Sequence, residues 1–340
     1  MDCLKTSITS RFVLILTILL FSIGLVSCSE GAKEQVKTLD KVSIRLQWIH
    51  QAQFAGIYTA KEEGFYEENG IDLTINSGGM DFNAIKLVAT GNDTFGIWNA
   101  DQIIISRTKG IPIRAIAVVY QKSQTVFMVK KESGIKTPHD FIGQTVGMYY
   151  GWDSETYYKA MLKKLGIDRK RIREVPVQYD LARFFEDEVD VWPAYVINQP
   201  ILAEERGFPV SLIYPADYGV VGYSDTIFTR ESLINENPDL VLRFLKATLK
   251  GWEYALTHQE EAIDYTLKYA KDAKREHQKK MLEVSVPFIK PPQQPRVGWM
   301  DKNVWDNLQS FLLDEGIIKT RVPDKDIYRM KFLNEIYLNK

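Results

Sequence analysis

The sequence predicts an α/β protein of two lobes, the second inserted into the first, with a hinge and a ligand cleft between them. Three observations carry this. The chain has 340 residues, a length that fits about two domains. Short period-two apolar runs alternate with segments of helical spacing, the pattern of a largely parallel sheet. Strand character also returns near Tyr218–Phe228, after a complete second run of alternating elements, so the chain crosses between lobes twice.

The elements follow in order. Residues 1–27 read as an export leader: Lys5 and Arg11 precede an apolar run from Phe12 to Val26, too short and too broken by Ser22 and Gly24 for a membrane span. The run ends in Leu25-Val26-Ser27-Cys28, which resembles a bacterial lipobox and implies lipidation at Cys28, with residues 28–40 as a polar tether. Lobe 1 is expected over 41–131 and 220–340, and lobe 2 over 132–219. In lobe 1, Val42–Leu46, Ile71–Ile75, Thr94–Trp98, Ile113–Tyr120 and Thr125–Val129 read as strands, with helices over Phe54–Glu63, Phe82–Ala89 and Asp101–Thr108 between them. In lobe 2, strands are expected at Thr145–Met148, Ile172–Pro176 and Val189–Ala194, and helices at Thr156–Leu165 and Leu181–Glu186. The remainder reads as helices over Pro238–His258, Glu260–Ala270, Lys274–Val286 and Lys302–Glu315. The lobes are expected to rotate about strands near Val129 and Val221.

Composition removes several function classes. With 45% hydrophobic, 12% aromatic and 26% charged residues the chain can build a packed core, and a formal net charge of -1 offers no field for nucleic acid. The two cysteines are Cys3, in the leader, and Cys28, so a thiol nucleophile, an iron–sulfur cluster, a Cys-ligated zinc and an internal disulfide are not expected. His50, His139, His258 and His277 lack the HExxH spacing of a zinc hydrolase. There is no Gly-x-Ser-x-Gly elbow, and Asn76-Ser77-Gly78-Gly79-Met80 lacks the end of a P-loop, reading instead as a tight turn at the cleft. No metal, cofactor or catalytic residue is assigned.

Ligands of open α/β sheets sit beyond the carboxyl ends of the strands. The loop residues there are rich in aromatics: Trp48, His50, Phe54, Tyr58 and Trp98 in the first lobe, Tyr149, Tyr150, Trp152, Trp192 and Tyr195 in the second, and Tyr223 at the return. Beside them stand Asn99, Asp153, Glu155, Asn198 and Asp225, which accept from amines or read ring nitrogens. Aromatic faces with polar edges suit a flat, polar solute that is not strongly anionic. Asp153 reads equally as a helix N-cap, and His50 equally as a loop-stabilising group.

The stretches Gln47–Ala60, Gly64-Phe65-Tyr66, Asn69–Leu73, Gly91–Gly96, Gly110–Ile113, Val189–Pro200 and Ala247–Ala255 resemble a family of solute-binding proteins. That family is shared by thiamine-pyrimidine synthases, sulfonate-binding proteins, and pyrimidine-precursor or riboflavin binders. The resemblance spans nearly the whole chain after the leader. It implies the type II periplasmic-binding-protein fold and an extracytoplasmic lipoprotein serving an ABC permease and ATPase, monomeric and held at the membrane by its lipid. It also implies a pyrimidine-precursor ligand, with riboflavin or a sulfonate as alternatives; acids at the helix starts, Asp81, Asp101, Asp153 and Glu155, weigh against a sulfonate. A sensor partnering a membrane kinase is a reading of another class. The family's fungal synthase carries a cysteine-rich iron motif that this chain lacks, so an enzyme is not expected.

Overall fold

The computed structural model describes residues 38–338. The leader, Cys28 and most of the tether therefore lie outside the described residues.

Two five-stranded sheets form the lobes. The first has the order β2-β1-β3-β10-β4, built from β1 (Asp40–Arg45), β2 (Ile71–Asn76), β3 (Phe95–Trp98), β4 (Ile113–Tyr120) and β10 (Ser224–Arg230). The second has the order β7-β6-β8-β5-β9, from β5 (Thr125–Lys130), β6 (Thr145–Met148), β7 (Arg173–Pro176), β8 (Val191–Tyr195) and β9 (Val210–Ile213). The orders are equivalent: three parallel strands, then one antiparallel strand, then a last strand. The antiparallel member is in each case the strand by which the chain has just entered that sheet, β5 in one and β10 in the other. The sheets are thus mixed rather than simply parallel.

This placement of β5 corrects the expected boundary at Lys131. Thr125–Val129 pairs with β8 and β9, so the crossings are the segments before Thr125 and between Ile213 and Ser224. The alternation of β5 reads as a strand in any sheet; only its partners decide which. Strand β9 and the helix over residues 199–205 were not legible in advance, both being short.

Helices of six or more residues are α1 (Ala55–Glu62), α2 (Ala84–Ala89), α3 (Ala100–Thr108), α4 (Asp153–Lys164), α5 (Gln199–Glu205), α6 (Glu231–Glu236), α7 (Pro238–Thr257), α8 (Gln259–Tyr269), α9 (Arg275–Ile289), α10 (Lys302–Asp314) and α11 (Lys331–Leu338). Helix α7 starts where Pro238 supplies its fixed φ and Asn237 Oδ1 accepts from Leu240 N at 3.1 Å. Its apolar face, including Phe244, Leu245, Leu249 and Trp252, is buried against α1 and the first sheet. The contact with α1 needs two glycines: a Cβ on Gly251 would lie 2.3 Å from Gly56 O, and one on Gly56 would lie 2.1 Å from the Trp252 ring. Strand β4, at a sheet edge, is buried along all eight residues and is covered by bridges from Ala115 to Tyr328 and from Val118 to Gly298. The apolar core of the first lobe continues into the second through Trp192, Ala194 and Ile197.

Candidate functional site

A cavity lies between the lobes where strand ends converge. The first lobe contributes the loop after β1 (Gln47, Trp48, Gln51, Gln53) and Met80 from the loop after β2. The second contributes Tyr149 and Trp152 after β6, Ser154 on α4, Tyr179 after β7, Pro193 to Tyr195 at the end of β8, and Gln199. The loop after β1 is held close by Gly78, whose amide donates to Trp48 O at 2.9 Å and whose missing Cβ would sit 2.2 Å from Leu46 O.

Aromatic rings form the walls. Trp48 packs against Tyr179 with centroids 4.9 Å apart and meets Trp152 edge-on at 5.9 Å. Trp98 also stacks on Trp152 at 5.9 Å, so a second-lobe indole touches two from the first. Tyr179 is fixed by Asn198 Nδ2, which donates to its hydroxyl at 2.5 Å. The cavity measures about 590 Å³ with its open mouth, most of it too narrow to admit water. With Trp48 and Tyr179 centroids 4.9 Å apart, no ring fits between these two side chains unless they separate.

Three polar atoms of the lining are buried without a protein partner: Gln47 Oε1, the Trp48 indole Nε1 and Ser154 Oγ. The lining carries no charged side chain. It can therefore stack a flat ring and hydrogen-bond its edge, and it supplies no counter-charge.

Behind the lining lies a polar layer. Gln51 Nε2 donates to Gln53 Oε1 at 2.6 Å, Gln53 Nε2 donates to both oxygens of Asp225 at 2.8 and 3.1 Å, and Gln124 Nε2 donates to Asp225 at 2.5 Å. Asp225, at φ 42, is buried, and burial pushes its carboxyl up to about 7. On the opposite lobe, Asp153 accepts from Tyr195 OH and Thr125 Oγ1, each at 2.7 Å, while Asn99 Nδ2 reaches Tyr195 OH at 3.4 Å across the lobes.

Of the residues expected at the site, Trp48, Tyr149, Trp152 and Tyr195 line this cavity. Trp98, Asn99 and Asp153 line an adjoining one of about 1220 Å³ with its open mouth, which shares Trp152 and Met80. Asn198, Trp192 and Asp225 stand behind the lining, Trp192 donating its indole N–H to Tyr149 OH at 3.2 Å. The remainder are elsewhere. Phe54 is a buried core residue, and Tyr58 stacks on Tyr269 at 4.6 Å with its hydroxyl 3.0 Å from His50 Nδ1. His50 is thereby a loop-holding group, its pKa lowered by burial. Tyr223 packs on Trp305 and accepts from Asp301 N at 2.8 Å. Glu155 accepts from Gly151 N at 2.7 Å and shapes the β6 loop. Asp153 is the first residue of α4, with Trp152 in the cap position, so it caps nothing. Each misplacement has one cause: a loop aromatic points to the cleft or the core according to packing that spacing does not encode. Tyr179 and the glutamines were missed. Tyr179 follows β7 at its carboxyl end, so the strand-end rule that singled out Trp48 also points to it.

The two sheets with a cavity between them have the periplasmic-binding-protein fold. Residues 51–262 match the model of the family described as NMT1/THI5 like, and the chain belongs to that family. It is 27% identical over 307 residues to the formylaminopyrimidine-binding protein of Halalkalibacterium halodurans, covering 88% of this chain and 92% of that one. It is 26% identical over 308 residues to the riboflavin-binding protein RibY of Chloroflexus aurantiacus, covering 87% of each. Among solved structures, a putative periplasmic sulfonate-binding protein SsuA from Methylobacillus flagellatus superposes with TM-score 0.68 at 17% identity, over 89% of this chain and 96% of that one.

Proposed function

We propose that this protein is the extracytoplasmic solute-binding component of an ABC importer, and that it captures a flat, uncharged heteroaromatic of the thiamine-pyrimidine-precursor class. The observation that carries the reading is the combination of aromatic walls from both lobes with three unspent polar atoms, Gln47 Oε1, Trp48 Nε1 and Ser154 Oγ, in a lining without charge. Similarity to a formylaminopyrimidine-binding protein over most of both chains supports the same class. Capture proceeds by closure: the ring enters between parted lobes, Trp48 and Trp152 come together over it, and the closed form is what a permease and its ATPase receive. Lipidation at Cys28 keeps a monomer beside that permease. The protein binds rather than transforms its solute.

A second ligand, riboflavin, is favoured by one observation. The adjoining cavity of about 1220 Å³ shares Trp152 and Met80 with the aromatic one, giving a larger ring system with a polar chain a place to extend. A sulfonate finds no cation in the lining. The deciding measurement is a thermal-shift panel with hydroxymethylpyrimidine, formylaminopyrimidine, riboflavin and an alkylsulfonate. A ligand at about 100 times its Kd stabilises the native state by about 2.7 kcal/mol. A shift with a pyrimidine alone supports precursor capture; a shift with riboflavin alone replaces the ligand, and a shift with the sulfonate alone overturns the neutral-ring reading.

A further inference from the structure

Among the described residues two pairs of ionisable side chains join the lobes, and they stand in different places relative to the crossings. Lys163 of α4 meets Glu315, just past α10, at 3.4 Å; it lies beside the crossing between Ile213 and Ser224, where Lys164 Nζ donates to Gly219 O at 3.1 Å. The other pair is His277 of α9 and Glu205, the last residue of α5, with Nδ1 and Oε1 3.0 Å apart. Helix α9 belongs to the first lobe, packed on α8 and β4, and α5 to the second, packed on β8 and β9. Near its far end α9 is tied to the crossing before Thr125, Phe288 O accepting from Gln121 N at 2.8 Å. Eleven residues of helix separate His277 from Phe288. At a rise of about 1.5 Å per residue His277 stands about 16 Å from that tie, so opening the lobes at the crossings carries it away from Glu205.

His277 also reaches the cavity. Its Nε2 stands 3.3 Å from Asn198 Oδ1, and Asn198 Nδ2 donates to the Tyr179 hydroxyl at 2.5 Å. Tyr179 is the second-lobe ring packed on Trp48. The next residue of α9 holds the opposite wall: Gln278 Oε1 accepts from Ala52 N at 2.6 Å, between Gln51 and Gln53 of the lining. Neighbouring side chains in the first turn of α9 are thus bonded toward both walls of one cavity. A carboxylate only accepts, so Nδ1 is the donor to Glu205. The acids of α8 that pack near this turn, Glu260 and Asp264, are held by Arg275 instead. The imidazole is 13% exposed and the Glu205 side chain 34%, so the bond forms at the edge of solvent and both groups are hydrated once the lobes part.

We propose that His277 is a positioning residue for solute capture: a latch by which the first lobe holds Glu205 and Asn198 of the second and, through Asn198, sets the Tyr179 wall over the bound ring. The inference rests on the closure reading above. The latch is made only in the joined form, so it slows release of a captured ring without changing how fast the ring is met, entry taking place while the lobes are apart. A hydrogen bond to an ionised carboxylate corresponds to release slowed about 10- to 100-fold.

The test compares the full-length wild type with His277→Ala, Glu205→Ala and Lys280→Ala, the last a control on the same helix whose side chain pairs only with Glu283 of that helix, at 4.0 Å. Stopped-flow association and release are measured with formylaminopyrimidine and with riboflavin, alongside urea unfolding and small-angle scattering without solute. The expected result is release about 10- to 100-fold faster from His277→Ala and Glu205→Ala, at an unchanged association rate and an unchanged unfolding midpoint, with Lys280→Ala behaving as wild type. A wild-type release rate in His277→Ala overturns the proposal, as does faster release accompanied by a lowered unfolding midpoint, which marks a packing role. Should His277→Ala not fold, Glu205→Ala removes the same bond from the other lobe and decides. A ring that binds and leaves all four proteins equally fast keeps the solute reading and removes the latch. If neither probe binds the wild type, the solute reading falls and scattering decides: a more extended form in His277→Ala than in the wild type keeps the latch, and identical curves overturn it.

Discussion

Trp48 of the first lobe and Trp152 of the second meet edge to face with ring centroids 5.9 Å apart, and this contact spans the cleft. Both indoles line the same cavity, so parting the lobes would break this contact and widen the aromatic walls.

Trp48→Ala and Trp152→Ala are each expected to weaken ring binding by about 1–3 kcal/mol while leaving the unfolding midpoint nearly unchanged, since both side chains are only half-buried. Calorimetric titration and denaturant unfolding on the same samples check this. A loss of stability without a loss of affinity would place the two indoles in the core.

Trp192→Ala is the counterpart. Its side chain is fully buried, so the substitution is expected to cost about 3–5 kcal/mol of stability, read as a lowered denaturation midpoint. Its effect on affinity runs through Tyr149, whose hydroxyl loses its indole donor.

Gly56→Ala forces a methyl group to within 2.1 Å of the Trp252 ring, and α1 and α7 must separate to admit it. Overpacking of this kind costs about 1–3 kcal/mol, measurable by urea unfolding. Gly91→Ala tests a different effect, because its Cβ meets nothing within 4 Å and the penalty is the positive φ of 82° alone.

Asp225 makes folding stability depend on pH. Its folded-state value of about 7 is above the ordinary carboxylate value of about 4, so the folded form retains a proton that the unfolded chain has lost. Stability is greatest at the acid end of this range, falls by up to about 1.4 kcal/mol per pH unit through it, and is flat above. Asp225→Asn is expected to remove that site's share of the slope in unfolding curves taken at several pH values. Gln124→Ala, which strips one of its donors, is expected to cost about 1–3 kcal/mol.

Cys28→Ser is expected to move the protein from the membrane fraction to the soluble fraction on cell fractionation. Retention in the membrane would reject the lipobox.

The strands, the long helices and the double crossing were readable from residue order, because period and turn chemistry are local, while the binding class was readable only through the resemblance of whole stretches to a known family. Val42–Leu46 alternates whatever it pairs with, and Asn237-Pro238 starts a helix in any context. The aromatic character of the cleft was readable too, from the run of Trp and Tyr at strand ends. Which aromatics face the ligand was not. Trp48 and His50 are two residues apart in one loop, yet one lines the cavity and the other pairs with Tyr58 against α8. Tyr179 and Met80 joined the site only when the lobes came together. Likewise β5 could be recognised as a strand but not assigned to a lobe. Local order sets what each segment becomes; contacts between residues far apart in the chain, made when two lobes exclude water from the surface between them, set which side chains share a cavity.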